Sequence, residues 1–235
     1  MILAVTGGKG GVGKSTIAYN LAAELSALER ANNRDSLSNA GSVVVDGDLG
    51  MADLPSSHGP DLHDVLADRA DPHEAVRETG PVTLVLRADA GRRSKRRLAG
   101  PHGRIRRAGA DLSLGHRRLA GGDARRRGVT PCCCRRCGTR HDAGGAALAD
   151  AFRVRALARE LEAGLCRVVL NRAGPNPATE AVTDRFGAPA VAVPESEPLA
   201  TAQAHGQPLR ETALDTPARR SLESLADAVY SCSSV

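Results

Sequence analysis

Aromatic side chains are almost missing from this chain, with two Phe, two Tyr and no Trp among 235 residues. No apolar run approaches the roughly 18 to 20 residues that cross a bilayer as a helix, which excludes a helical membrane span. The first residues, Ile2-Leu3-Ala4-Val5, read as a strand rather than a signal peptide, which points to the cytoplasm. Lysine is scarce too: outside one arginine-rich interval there are only Lys9 and Lys14. The length suits a single α/β domain over 1–235.

Charge is segregated along the chain. Arg87 to Arg140 carries 16 Arg and Lys95 against Asp89, Asp111 and Asp123, a net +14. The whole chain is +5, so the remainder carries −9. The overall basicity is thus the sum of an acidic protein and one very basic interval. The acidic, lysine-poor remainder is similar to salt-adapted proteins from GC-rich genomes, where surface carboxylates preserve solubility.

What is present is a phosphate-binding pattern. Gly8 to Ser15 satisfies G-x-x-x-x-G-K-[ST], after the β-type run Ile2–Val5 and before Ile17, Leu21 and Leu25 at helical spacing. Glycine tolerates the dihedrals and close approach needed to wrap a polyphosphate. The N–H groups of Gly8, Gly10, Gly11, Val12, Gly13, Lys14, Ser15 and Thr16 would then surround the phosphates at a helix N-terminus, where the dipole favours an anion. Lys14 would reach the β- and γ-phosphates and the Ser15 hydroxyl would ligate Mg²⁺.

Lys9 lies inside the same loop and makes it K-G-G-x-G-K-S. This resembles the deviant Walker A signature of the MinD/ParA family of P-loop ATPases. The resemblance implies ATP and Mg²⁺ as cofactors and a nucleotide-sandwich homodimer in which Lys9 contacts the phosphates of the partner subunit. It also implies a regulator or cargo-adaptor protein as a further partner.

Two further stretches match the family. Val43-Val44-Val45-Asp46-Gly47-Asp48 reads as a buried parallel strand running into two aspartates, and resembles the strand-end D-x-D-x-G motif. By that resemblance Asp48 orients the attacking water near Mg²⁺, and Asp46 supports it. Cys166 to Asn171 is an apolar strand ending in Asn, similar to the family's adenine-side strand, which makes Asn171 a base contact. Val191-Ala192-Val193-Pro194, with the trailing A-x-x-x-G-x-P of Ala202 to Pro208, resembles the strand and loop over the adenine, with Pro194 as a second contact.

The interval 87–145 does not match. The family carries here a central strand ending in Asp, the Walker B and switch II region, and a further strand. Neither is legible between the strand-like Pro81–Leu86 and the helix-like run from Ala146 to Arg153. Arginine pairs recur without sustained helical or strand periodicity, no aromatic residue occurs, and composition of this kind buries too little apolar surface to order itself. The spacing between the anchors is close to what the missing elements need. The interval therefore reads as an out-of-frame stretch of the same gene, entered near codon 87 and restored near codon 145.

Two other readings of the interval stand beside that one. Its arginines offer phosphate contacts to DNA. Cys134-x-x-Cys137, with Cys132 or His141, offers zinc or an iron–sulfur cluster a partial ligand set, as in the related iron–sulfur carrier ATPases. Cys166 and Cys232 read as ordinary reduced cysteines.

Smaller features complete the reading. Leu28 to Gly41 reads as a polar loop, Leu62–Leu66 as a short helix, and His58 and His63 as surface residues. Ala218 to Tyr230 reads as a closing helix with Leu222, Leu225 and Val229 inward. The C-terminus lacks the basic amphipathic helix by which some relatives bind membranes. The fold expected is a mostly parallel α/β sheet flanked by helices, with a disrupted middle segment. The function expected is an ATP-hydrolysing dimerisation switch for spatial positioning. The alternatives are a nucleotide-binding protein without turnover and an iron–sulfur-carrier-type ATPase.

Overall fold

A computed structural model describes residues 3–7, 11–32, 42–46, 59–78, 83–86, 130–136, 145–160 and 164–232. They fall in two compact units, Met1–Glu24 with Gly122–Val235, and Leu25–Gly121; the boundary lies within the first helix.

The first unit begins with β1 (Leu3–Thr6) and α1 (Lys14–Asn32), whose Ile17 and Leu21 are buried as their spacing predicts. The second unit takes up the end of α1 and adds β2 (Ser42–Val45), α2 (Leu62–Leu66), α3 (Pro72–Ala75), β3 (Val76–Glu78) and β4 (Thr83–Leu86). The chain returns to the first unit with β5 (Thr130–Arg136), α4 (Gly145–Glu160), β6 (Arg167–Ala173), α5 (Thr179–Phe186), β7 (Ala190–Pro194) and α6 (Glu197–Ala204). A 3-10 turn (Leu209–Thr212) and α7 (Pro217–Cys232) close it.

The sheet of the first unit has the order β1-β5-β6-β7 and is parallel throughout. Val168, Val169 and Leu170 on β6 are all buried, the continuous apolar run that a parallel strand covered on both faces requires. Val168 and Leu170 pack with Ala151, Val182 and Phe186. Phe152 stacks on Phe186 with ring centroids 4.8 Å apart, so two of the chain's four aromatic rings sit in one cluster. Leu222, Leu225 and Val229 of α7 are buried, as read.

β5 departs from the sequence reading. Thr130-Pro131-Cys132-Cys133-Cys134-Arg135-Arg136 has no strand-like pattern, yet its backbone pairs with β1 on one side and β6 on the other. Val5 registers with Cys132, and Asn171 with Arg136. Two neighbouring strands set this slot, so the segment is extended by its place in the ladder rather than by its own periodicity.

In the second unit β2 and β4 are parallel and β3 runs antiparallel to β4, in the order β2-β4-β3. A capping box starts α2: Asp64 N donates to Asp61 Oδ1 at 3.0 Å, and Asp61 N to Asp64 Oδ2 at 3.2 Å. Leu62, Val65, Leu66 and Ala75 form its core, with Val45 and Val76 packed against them. Two readings need correction. His63 is buried at 4% exposure, because a helix this short, capped at Asp61, turns its whole length into that core; His58 lies outside the described residues. Leu28 to Asn32 continues α1 instead of opening a loop, since Leu28, Glu29, Arg30 and Ala31 are good helix formers. Among the described residues, no helix is long and apolar enough to cross a membrane.

Candidate functional site

The loop between β1 and α1 has the backbone its glycines permit. Gly11 and Gly13 adopt φ of 73° and 91°, in the left-handed region. Around Gly11 a β-carbon would meet open space, so the dihedral alone selects glycine there. At Gly13 a β-carbon would also collide with the Asn171 side-chain amide. α1 opens directly from this loop, with Ile17 N donating to Gly13 O at 2.9 Å.

Asn171 explains that close approach. It sits on β6 near its carboxyl end, 3% exposed, and its Nδ2 donates to Val12 O at 3.1 Å. The sheet thereby holds the Val12 carbonyl of the loop. At the next position Arg172 is exposed with φ 54°, where the β6–β7 register shifts between Asn171 and Ala173. This irregularity leaves Asn171 beside Val193 and Ala173 beside Pro194. Asn171 and Pro194 therefore lie near the carboxyl ends of neighbouring strands.

The arrangement fits a polyphosphate. A 19-residue helix begins at Lys14 with no acidic residue in its first turn, so its N-terminal dipole is not offset by its own carboxylates. Lys14, Ser15 and Thr16 are half-buried in that turn. Asp46 directly follows β2 in the second unit and is 8% exposed. Gly8, Lys9, Gly10 and Asp48 lie outside the described residues. So do the side chains of Cys132, Cys133 and Cys134, and all of Cys137 and His141. Among the described residues, no three His, Cys, Asp or Glu side chains converge as metal ligands, and Cys166 and Cys232 are free thiols.

Sequence reasoning missed a polar ladder from α1 to the chain after α6. Thr16 Oγ1 donates to Gln203 Oε1, Tyr19 Oη donates to Gly206 O at 2.8 Å, and Leu209 N donates to Asn20 Oδ1 at 2.7 Å. Arg210 Nη1 pairs with Glu24 Oε2 at 2.5 Å. Tyr19, Asn20 and Glu24 are 2–3% exposed. Burial pushes the Glu24 carboxyl above its ordinary value. The Arg210 hydrogen bond and charge oppose this, Glu223 adds to it, and Arg219 opposes it further. A signal was available: Asn20 and Glu24, one turn apart, fall on the stripe that also carries Ile17 and Leu21.

A parallel α/β sheet, a glycine loop leaving its first strand and a helix beginning at that loop define a P-loop nucleotide-binding fold. The chain belongs to the CobQ/CobB/MinD/ParA nucleotide-binding domain family, whose model matches residues 3–209. The fold is similar to that of the cell division ATPase MinD of Pyrococcus furiosus, with a TM-score of 0.70 and 22% identity over 99% of this chain and 100% of that one. It is similar, too, to the septum site-determining protein MinD of Pyrococcus horikoshii, solved with Mg-ADP, at TM-score 0.68 and 21% identity over 97% and 95%. An ATP-binding protein of Methanocaldococcus jannaschii is 35% identical over 81 residues, 32% of this chain and 27% of that protein. The chain thus spans about a quarter of that curated relative.

Proposed function

We propose that this chain is an ATP-binding and ATP-hydrolysing dimerisation switch that serves spatial positioning. One observation carries the reading: a glycine loop at the head of α1, with its Val12 carbonyl held back by Asn171, ahead of Lys14, Ser15 and Thr16. Lys14 would neutralise charge on the β- and γ-phosphates, and Thr16 would hold the α-phosphate end. Ser15 would hold Mg²⁺, which supplies further neutralisation of the phosphate oxygens when bound. Asn171 Oδ1 is the acceptor that would take an exocyclic amine, while Nδ2 serves Val12; Pro194 would line the base from the neighbouring strand. Lys9 from a partner subunit would complete the phosphate shell, and Asp48, supported by Asp46, would orient the water. The cargo or regulator would read which nucleotide is bound.

The test is ATP hydrolysis against protein concentration. A dimerising switch gives a rate rising with the square of concentration in the dilute range, and Lys14→Ala abolishes it. Hydrolysis linear in concentration overturns the switch, and hydrolysis surviving in Lys14→Ala overturns the site.

A second reading is nucleotide binding without turnover. One feature favours it: the family resemblance implies a strand ending in an aspartate within 87–145, and among the described residues of that interval the one strand, β5, ends in Arg135-Arg136. Tight binding with no phosphate release would select this reading.

A further inference from the structure

α1 carries more than the phosphate loop. Its face Thr16, Tyr19, Asn20 and Glu24 grips one short stretch of chain, Gln203 to Arg210, at four points. The α1 side chains of the three lower rungs, Tyr19, Asn20 and Glu24, are buried. Asn20 ties the ladder back to its top, because Nδ2 donates to Thr16 O at 2.8 Å while Oδ1 accepts from Leu209 N. The stretch is therefore fixed along α1, and Gln203, itself exposed, is held against the Thr16 hydroxyl.

That hydroxyl has one proton. In the present structure it goes to Gln203 Oε1. On the nucleotide-site reading above, on which this inference rests, a phosphate oxygen claims the same proton. The two acceptors cannot share it. A side-chain amide resolves the conflict by turning through 180°, which replaces the acceptor Oε1 with the donor Nε2–H. Thr16 Oγ1 then donates to phosphate and accepts from Gln203.

We propose that Gln203 is a positioning residue of the nucleotide site, an amide that accepts from Thr16 in the free protein and donates to it when phosphate takes the hydroxyl proton. It acts through Thr16 rather than on the ligand. The ladder through Tyr19, Asn20 and Glu24 keeps it in place for both states. The device depends on an amide: a carboxylate at 203 has no donor to turn inward, and an alkyl chain has neither group.

The experiment is calorimetric titration of Mg-ADP into four proteins: the native chain, Q203E, T16A and T16A/Q203E, with Q203L as a fifth. Q203E is expected to bind roughly tenfold more weakly than the native chain, since the hydroxyl proton stays with the carboxylate and a charge-assisted contact is lost. Q203L is expected to lose roughly threefold. In the T16A background the Q203E penalty should shrink to about twofold, because the shared hydroxyl is gone. A penalty of equal size in both backgrounds makes Gln203 a distant charge or a structural residue and overturns the inference. So does Q203E binding within twofold of the native chain. A native chain that binds no Mg-ADP overturns the nucleotide-site reading itself, a different result from either. Gln203 is exposed, so Q203E and Q203L should keep the native thermal midpoint, which is checked alongside.

Discussion

Asn171 and Val12 are 159 positions apart, and one hydrogen bond of 3.1 Å joins the Asn171 side chain to the Val12 carbonyl. The bond is buried, and it leaves no room at Gly13 for a side chain. The strand that the family resemblance assigns to the base is therefore also the brace of the phosphate loop.

The brace predicts an order among glycine substitutions. Gly11→Ala meets only an unfavourable φ and should cost about 1 kcal/mol of stability. Gly13→Ala meets the same kind of strain and the Asn171 amide as well, and should cost about 2 to 3 kcal/mol. Asn171→Leu, which removes the donor from Val12 O, should cost about 1 to 2 kcal/mol. Urea unfolding at neutral pH measures all three. A Gly13→Ala cost equal to that of Gly11→Ala would show that the loop yields and that Asn171 does not brace it.

The Glu24–Arg210 pair predicts a pH dependence. Burial raises the folded carboxyl above its usual 4.5, so the folded chain holds a proton that the unfolded chain has released. Stability from this group is therefore greatest in acid and falls as pH rises from about 4.5 through the folded value. Removing Arg210 strips away the main opposing charge and leaves a buried carboxylate. Arg210→Ala should cost about 2 kcal/mol at pH 7.5 and much less at pH 4, where Glu24 takes a proton. Glu24→Gln keeps an acceptor for Arg210 without the buried charge, and should leave stability at pH 7.5 unchanged or slightly higher. Thermal melts across pH 4 to 8 decide it; a cost for Arg210→Ala that does not change with pH would exclude the coupling.

The aromatic pair predicts the cost of opening the core. Phe186 is 2% exposed and stacked on Phe152, under α4 and against β6. Phe186→Ala should cost about 3 to 5 kcal/mol, whereas Leu214→Ala, at a half-exposed side chain, should stay within about 0.5 kcal/mol. Comparable urea midpoints for the two variants would place the core elsewhere.

Much of this site could be read before any coordinates. β1, the glycine loop, α1, β6, β7 and α7 each carry a periodicity or a turn signal strong enough to stand alone: Ile17 and Leu21 at helical spacing, Val168 to Leu170 as a continuous buried run, Leu222, Leu225 and Val229 on one face. What escaped reading was set by tertiary context. His63 is buried because its helix is five residues long and lies wholly within its core. Asn20 and Glu24 look like ordinary polar helix residues until Leu209 and Arg210 arrive from nearly the far end of the chain. β5 has no pattern of its own to read, and takes its extended form from β1 and β6.

That last case leads to the prediction with the widest consequence. A strand between two parallel strands is usually a run of β-branched and aliphatic residues, because both faces are covered. Between β1 and β6 the chain instead places Pro131, which has no N–H for the ladder, then three cysteines and two arginines. The flanking elements, β4 before and α4 after, lie within the residues 3–209 that the family model matches. A stretch with the right length and the wrong chemistry is what a reading frame displaced by one base would give. Peptide mapping of the protein from its own cells should then recover peptides of another frame between Leu86 and Ala146, among them an apolar strand ending in Asp. Recovery of the tryptic peptide Gly128–Arg135 would show instead that the arginine-rich strand is genuine. In that case the sheet accommodates it, and binding without turnover becomes the reading to test first.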